Sequence, residues 1–494
     1  MEPASLSQST GPAVKGMQTR AIVSVLSALA AGAVLRFWML HKFFEVRDDS
    51  ELYGSMAKNL LLHGRYAVSD GSGALNETLI RLPGYPVFLA ACFRLFGMEN
   101  YFAPVSIQIL LELAGCVLLA FLAFRITRRV SAAQATLWLA CLCPFTAIYA
   151  AEPLTEAPTL FCIALALWAV ARFQDLGDWL SALAFTFAAT WAALLRPDGA
   201  LVGIAFTAPI LVALCAPPRP LRAPSSRLFS GAKVGSHELR KMVVCLLLAL
   251  IPFAAWTVRN WRVFHVLQPL APRYATDPGE PTWPGWQLWT KTWCLDFVST
   301  YQVYWNMPGA PLDINTLPAR AFDSPSQRTD TARIFADYEA NGEEMSPALD
   351  DRFAQLAAQR VAAHPLRYYV GLPLGRVADM LFRPRVENLP IDLDWWVYEH
   401  HRAETRFSWF YAGLNALFFL LALIGLFLRP RLWPWMLLYF VLRCALLATI
   451  EAPEARYTLE FFPMIFVLGG LALSRIYITI KRPGSSRPQA ATRS

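Results

Sequence analysis

The ionisable residues of this sequence gather where apolar stretches break. Asp48, Asp49 and Glu51 stand in RDDSELYGSMAKNLLLHGRY, and Arg81 opens RLPGYP, which also carries Tyr85. Glu152 and Glu156 lie in AEPLTEAP, Arg196 and Asp198 in RPDG, and Arg259 in WTVRN. Glu451, Glu454, Arg456 and Tyr457 lie in EAPEARY. Carboxylates interspersed with arginines suit a reaction in which a base takes the proton of an attacking hydroxyl while cations stabilise a phosphate leaving group. Taken one at a time, each has a plainer explanation, because long charged side chains at a membrane boundary reach for water.

The elements that must position these groups are membrane helices. The 494 residues are 56% hydrophobic and only 16% charged, against about 25% charged in an ordinary soluble domain, and mean hydropathy is +0.37. A net charge of +8 does not point to nucleic acid, because the basic residues cluster in short segments between apolar runs, as in the positive-inside pattern. A crossing helix needs about 20 apolar residues, and about ten segments qualify, near 21–41, 101–124, 132–150, 154–172, 178–195, 199–216, 241–258, 406–428, 432–450 and 459–478. With the N-terminus inside, the basic loops carrying Arg125, Arg128 and Arg129, then Arg219, Arg222, Arg227, Lys233, Arg240 and Lys241, and the tail with Arg475, Lys481, Arg482 and Arg487, share one side.

The charged motifs then share the other side, which also receives two long segments, 42–100 and 259–405. The expected layout is a cytoplasmic tail (1–20), a first membrane module with its external loop (21–258), an external region (259–405), closing helices (406–478) and a second cytoplasmic tail (479–494). ELYGSMAKNLLLHG has the apolar spacing of a short interfacial helix, and 345–382 reads as two amphipathic helices parted at Pro365. Nine cysteines give no disulfide framework and no zinc spacing. Asp392 and Asp394 form D-x-D in the Trp-rich IDLDWW, read as an interfacial anchor, and His63, His265, His364, His400 and His401 lack ligand-like spacing, so no metal is expected.

RDDSELYGSMAKNLLLHGRY, RLPGYPVFLA, AEPLTEAPTLF, WTVRNWRVF and EARYTLEFFP together resemble, in order, the motifs of the GT-C superfamily, near the protein O-mannosyltransferases and lipid A aminoarabinose transferases. The resemblance spans roughly residues 20–480. It implies an all-α integral membrane protein of GT-C fold that moves a hexosyl or pentosyl group from a polyprenyl phosphate to an acceptor hydroxyl of a glycan, lipid or protein. Asp49, four positions before Tyr53, corresponds to the family's base, with Asp48 as its rival. Capping of the helix that starts near Ser50 is the structural alternative for Asp49. A single displacement with inversion then needs no glycosyl-enzyme.

The resemblance also implies carrier-phosphate roles for Arg81, Tyr85 and Arg259 and a carrier-lining role for Arg456 and Tyr457. The family's Pro-Pro after the basic residue is here Leu82-Pro83, which removes one rigid residue from that loop. Glu156 matches the family's third acidic position, to orient the acceptor or pair with an arginine, whereas Arg196 and Asp198 are expected to pair with each other. No cofactor or metal beyond the lipid-linked donor is implied. The expected location is a bacterial inner membrane, active face to the periplasm and both termini in the cytoplasm. A transporter or lipid-linked-sugar flippase is the alternative, and it would place charges at mid-membrane depth.

Overall fold

A computed structural model describes residues 12–215 and 236–481. The basic loop residues Arg219, Arg222, Arg227 and Lys233, the tail residues Arg482 and Arg487, and most of the 1–20 and 479–494 tails lie outside the described residues. Helices dominate: α1 (Pro12–Phe43), α2 (Asp49–His63), α3 (Gly84–Phe96), α4 (Phe102–Thr127), α5 (Val130–Cys141), α6 (Pro144–Ala150), α7 (Glu156–Leu176), α8 (Trp179–Leu195), α9 (Ala200–Cys215) and α10 (Ser236–Phe264). The one-turn α12 (Phe297–Ser299) follows α11 (Pro284–Lys291), then come α13 (Pro325–Ala340), α14 (Pro347–Ala363), α15 (Leu372–Phe382), α16 (Arg402–Phe427), α17 (Trp433–Leu447) and α18 (Phe462–Lys481). Strands β1 (Ala67–Ser69) and β2 (Leu75–Glu77) form an antiparallel hairpin.

Among the described residues, six helices are long and apolar enough to cross a membrane, or seven if α5 and α6, bent by 54° at Cys141–Pro144, form one span. All ten expected segments are largely helical over their described residues, but α8, α17 and the described part of α9, at 17, 15 and 16 residues, are shorter than a full crossing. Composition alone does not separate lipid-facing from central helices, and packing does. In the most apolar stretch of the α18 span 72% of residues are buried, against 6% for α10 and 22% for α1. The central helices are read as hydrophobic all round because protein surrounds them, the peripheral ones because lipid does.

Close approach at the centre depends on small residues. A Cβ on Gly425 of α16 would sit 2.0 Å from the Leu468 carbonyl oxygen of α18, and one on Gly470 would sit 2.0 Å from the Thr136 hydroxyl of α5. A buried ion pair also ties α1 inward: Arg36 Nη2 donates to Glu112 at 2.8 Å, and Arg36 Nη1 donates to the Cys141 carbonyl at 2.7 Å. Without those partners a guanidinium at this depth would be prohibitively costly.

Outside the bundle, residues 283–363 build a second core around Trp286, Trp289, Trp293, Tyr338 and Phe353. The Asp350 carboxylate accepts from the backbone N–H groups of Gly285 (3.0 Å) and Trp286 (2.8 Å), satisfying donors at the start of α11 that helix geometry leaves free. The expected break between amphipathic helices falls after α14, which ends at Ala363.

Candidate active site

Five segments at helix ends meet at one cavity. The chain leaving α1 and entering α2 brings Asp49, the N-terminus of α7 brings Glu156, and the α8–α9 turn brings Arg196 and Asp198. The α17–α18 connection brings Glu451 and Arg456, and the loop before α3 brings Arg81. The cavity measures about 870 Å³, and residues 271–308 of the external region form its opposite wall.

Asp49 is the hinge of the charge arrangement. Its Oδ1 accepts from Arg81 Nη2 at 2.7 Å and its Oδ2 from Arg456 Nη1 at 3.1 Å. The carboxylate therefore does not cap α2: Asp48 occupies the N-cap position at φ 49° and makes no side-chain cap bond. Asp48 is solvent-exposed and does not line the cavity, whereas Asp49 is 22% exposed and does. Burial would raise the Asp49 carboxyl, but the Arg456 and Arg81 guanidiniums outweigh it and hold the group down at about 2. Tyr53, one helical turn on, lies beneath it with its ring edge-on to Tyr85 at 5.1 Å, and burial pushes its phenol up to about 12.

From Asp49 the charges alternate inward. Arg456 pairs with Glu454 at 2.6 Å and lies 4.0 Å from Glu156, which receives Arg196 Nη1 at 2.8 Å. Arg196 also pairs with Asp198 at 3.2 Å, the expected local pair, and approaches Glu460 at 3.5 Å. Arg443 closes the chain, 2.9 Å from Asp198 and 2.7 Å from Glu460. Glu156, Arg443 and Glu460 are each 1% exposed, so each depends on its partners for the solvation that water would have given. Sequence reasoning passed over Arg443 and Glu460. The available signal was a single ionisable residue inside each of two apolar segments.

Two of the expected phosphate ligands lie elsewhere. Tyr85 is fully buried, its hydroxyl donates to Gln108 Oε1 at 3.0 Å, and it does not line the cavity. Arg259 is occupied with the hairpin: it donates to the carbonyls of Thr78 and Tyr66, each at 2.7 Å, pairs with Glu77 at 2.5 Å, and lies over the rings of Tyr66, Trp256 and Phe264. It anchors 66–78 to the end of α10. Glu152 also stays off the cavity wall, and burial together with the Glu156 charge pushes its carboxyl up to about 8. Tyr457, by contrast, lines the cavity.

Nine residues of separation hide one more cluster. His401 lies 3.3 Å from Asp392 and 3.1 Å from Asp394, a group with metal-ligand spacing that the linear histidine pattern did not suggest. All three residues lie outside the cavity, so the cluster plays no part in its chemistry.

No family model matches the sequence, and no curated protein matches it. The structure is similar to ArnT from Cupriavidus metallidurans bound to undecaprenyl phosphate, with 15% identity and a TM-score of 0.36 over 92% of this chain and 77% of that one. The same protein in its apo state gives 15% identity and a TM-score of 0.38, over 92% and 78%. It is also similar to the archaeal oligosaccharyltransferase AglB from Archaeoglobus fulgidus in complex with an inhibitory peptide and a dolichol-phosphate. There the identity is 10% and the TM-score 0.45, over 96% of this chain and 53% of that one.

Proposed function

We propose that the protein is a membrane glycosyltransferase of the GT-C type that moves a sugar from a polyprenyl-phosphate donor to an acceptor hydroxyl, with inversion, on the non-cytoplasmic face of the membrane. The observation that carries this reading is Asp49 held between Arg81 and Arg456 at the cavity wall. A carboxylate that can accept a proton, flanked by two planar forks that match phosphate oxygens, is the equipment for displacing a lipid phosphate with a hydroxyl.

In the resting arrangement those two functions cancel, because the base and the phosphate ligands occupy each other. Arg81, Arg456, Arg196 and Arg443 face Asp49, Glu454, Glu156, Asp198 and Glu460, so the network already carries one more carboxylate than guanidinium. A phosphate that enters must take arginine contacts from Asp49. Losing a cation removes what depresses the Asp49 carboxyl, so donor binding itself turns Asp49 into a better proton acceptor. The acceptor oxygen then attacks the anomeric carbon, its proton passes to Asp49, and the bond from that carbon to the phosphate oxygen breaks. The electron pair remains on the polyprenyl phosphate, where Arg81 and Arg456 neutralise it.

Glu156 acts here as a positioning residue, holding Arg196 and standing behind Arg456. Arg81, Arg456, Tyr53 and Tyr457 complete the carrier site, and none of these steps calls for a metal. The test is transfer from a panel of radiolabelled polyprenyl-phosphate sugars, in membranes holding equal amounts of wild type, Asp49→Asn, Asp48→Asn or Arg81→Ala. Transfer that collapses with Asp49→Asn and Arg81→Ala and survives Asp48→Asn supports the assignment. Undiminished transfer by Asp49→Asn removes the base, and movement of donor across the membrane without transfer replaces the enzyme by a transporter.

A further inference from the structure

The end of the cavity away from Asp49 has a different chemistry. It is walled by 271–308, and three aromatic side chains of that wall, Tyr274, Trp283 and Trp305, are partly or openly exposed. Trp305 is 45% exposed, and its ring is propped edge-on by Phe297 and Tyr301, each at 5.8 Å. The Arg273 guanidinium lies over the Tyr274 ring at 5.2 Å. Rigid aromatic faces set on a polar wall offer C–H-rich ligands a flat contact without immobilising many rotamers.

Polar groups without partners stand among these rings. Neither atom of the Gln287 carboxamide is hydrogen-bonded among the described residues, although its Oε1 is fully buried. Glu451 and Arg273 line the same end and make no ion pair among the described residues. At the Asp49 end, by contrast, every lining charge is paired. The Nε2 of that carboxamide is unbonded and not buried, so it calls for a ligand that accepts, while Glu451 calls for one that donates.

We infer that this end binds the acceptor and that the acceptor is a saccharide, its ring faces against Trp305 and Tyr274 and its hydroxyls on Gln287 and Glu451. A hydroxyl donates and accepts at one atom, which is what an open carboxamide beside an unpaired carboxylate and guanidinium can use. The sheet among the described residues, β1–β2, lies off the cavity wall, which removes strand addition as a way of holding a peptide there. A phosphorylated lipid headgroup would need several free cations, and Arg273 stands alone among the lining cations in having no ion pair among the described residues.

The inference rests on the transferase reading, and two photo-crosslinking probes separate them. Full-length protein carries p-benzoylphenylalanine in place of either Trp305 or Ile80, a lining residue beside Arg81, and is irradiated in membranes of the organism that makes it. Adduct masses are then read after proteolysis. At position 305 the expected adduct contains hexose or pentose, and adding Gln287→Ala lowers its yield about tenfold, the loss of roughly one good hydrogen bond. A peptide adduct, a phospholipid adduct, no adduct, or a yield indifferent to Gln287→Ala overturns the saccharide assignment. At position 80 the expected adduct is the polyprenyl phosphate carrier. Its absence beside a glycan adduct at 305 overturns the donor reading and leaves the saccharide site standing.

Discussion

Replacing Asp49 by Asn should move carrier binding and sugar transfer in opposite directions. The carboxylate competes with the carrier phosphate for Arg81 and Arg456, which approach it at 2.7 and 3.1 Å. The two guanidiniums bring its pKa from 3.8 to about 2 against the burial that opposes them. At about 1.4 kcal/mol per pKa unit the lowering from 3.8 to about 2 corresponds to about 2–3 kcal/mol of net stabilisation that an incoming phosphate must replace. An amide of the same shape keeps a weak hydrogen bond and loses that charge interaction. Asp49→Asn should therefore bind undecaprenyl phosphate about ten- to fiftyfold more tightly, while transfer falls about 10²- to 10⁴-fold for want of a general base. Both are measurable on one nanodisc preparation, carrier affinity from tryptophan quenching and transfer from product radioactivity. Weaker or unchanged carrier binding by the Asn variant would refute the competition at the centre of the mechanism, even if transfer also fell.

Arg81→Ala should weaken undecaprenyl phosphate binding by about tenfold or more, the loss of a charge-assisted hydrogen bond, and unchanged affinity in the same quenching titration would remove Arg81 from the carrier site. Arg259→Ala should instead cost about 2–3 kcal/mol of stability, because it releases Thr78, Tyr66 and Glu77; thermal unfolding should show the loss while carrier affinity stays within about twofold. Glu152 titrates at 4.5 unfolded and at about 8 in the fold, raised by burial and by Glu156. Its contribution is thus complete below about pH 4.5 and is lost as pH rises towards 8. The wild type should melt lower at pH 8 than at pH 6, and Glu152→Gln should flatten that slope; parallel profiles would show that the raised pKa is not real. Arg443→Leu should destabilise the protein by about 3–5 kcal/mol by stranding Glu460 and Asp198, with partial recovery in Arg443→Leu/Glu460→Leu; an unaltered melting temperature would mean that the buried network is not structural.

How much of this was legible beforehand depends on the range of the interaction involved. Apolar run lengths located the six helices that are long and apolar enough to cross a membrane among the described residues, because a helix satisfies its own backbone within one segment and local composition suffices to mark it. Motif order also marked Asp49, Arg81, Glu156, Arg196 and Arg456, which the fold gathers at one cavity. The short α2 and the break between α14 and α15 followed from apolar spacing and from Pro365.

Only the tertiary structure decided what each charge is paired with. Arg259 and Tyr85 look from the sequence as available as Arg81, yet Arg259 is held by a hairpin nearly 200 residues away and Tyr85 is closed against Gln108. Arg443 and Glu460 sit inside apolar segments, and they become intelligible once α17 is seen to bring Arg443 to Asp198 and the turn before α18 to bring Glu460 to Arg443. The lipid-facing and central helices are alike in hydropathy, since apolar side chains satisfy lipid and protein neighbours equally well. The open carboxamide of Gln287 is likewise invisible in the sequence, because lacking a partner is a property of the surroundings. Segment identity is written in local composition, whereas an electrostatic site depends on distances of a few ångströms between residues that only the completed fold brings together.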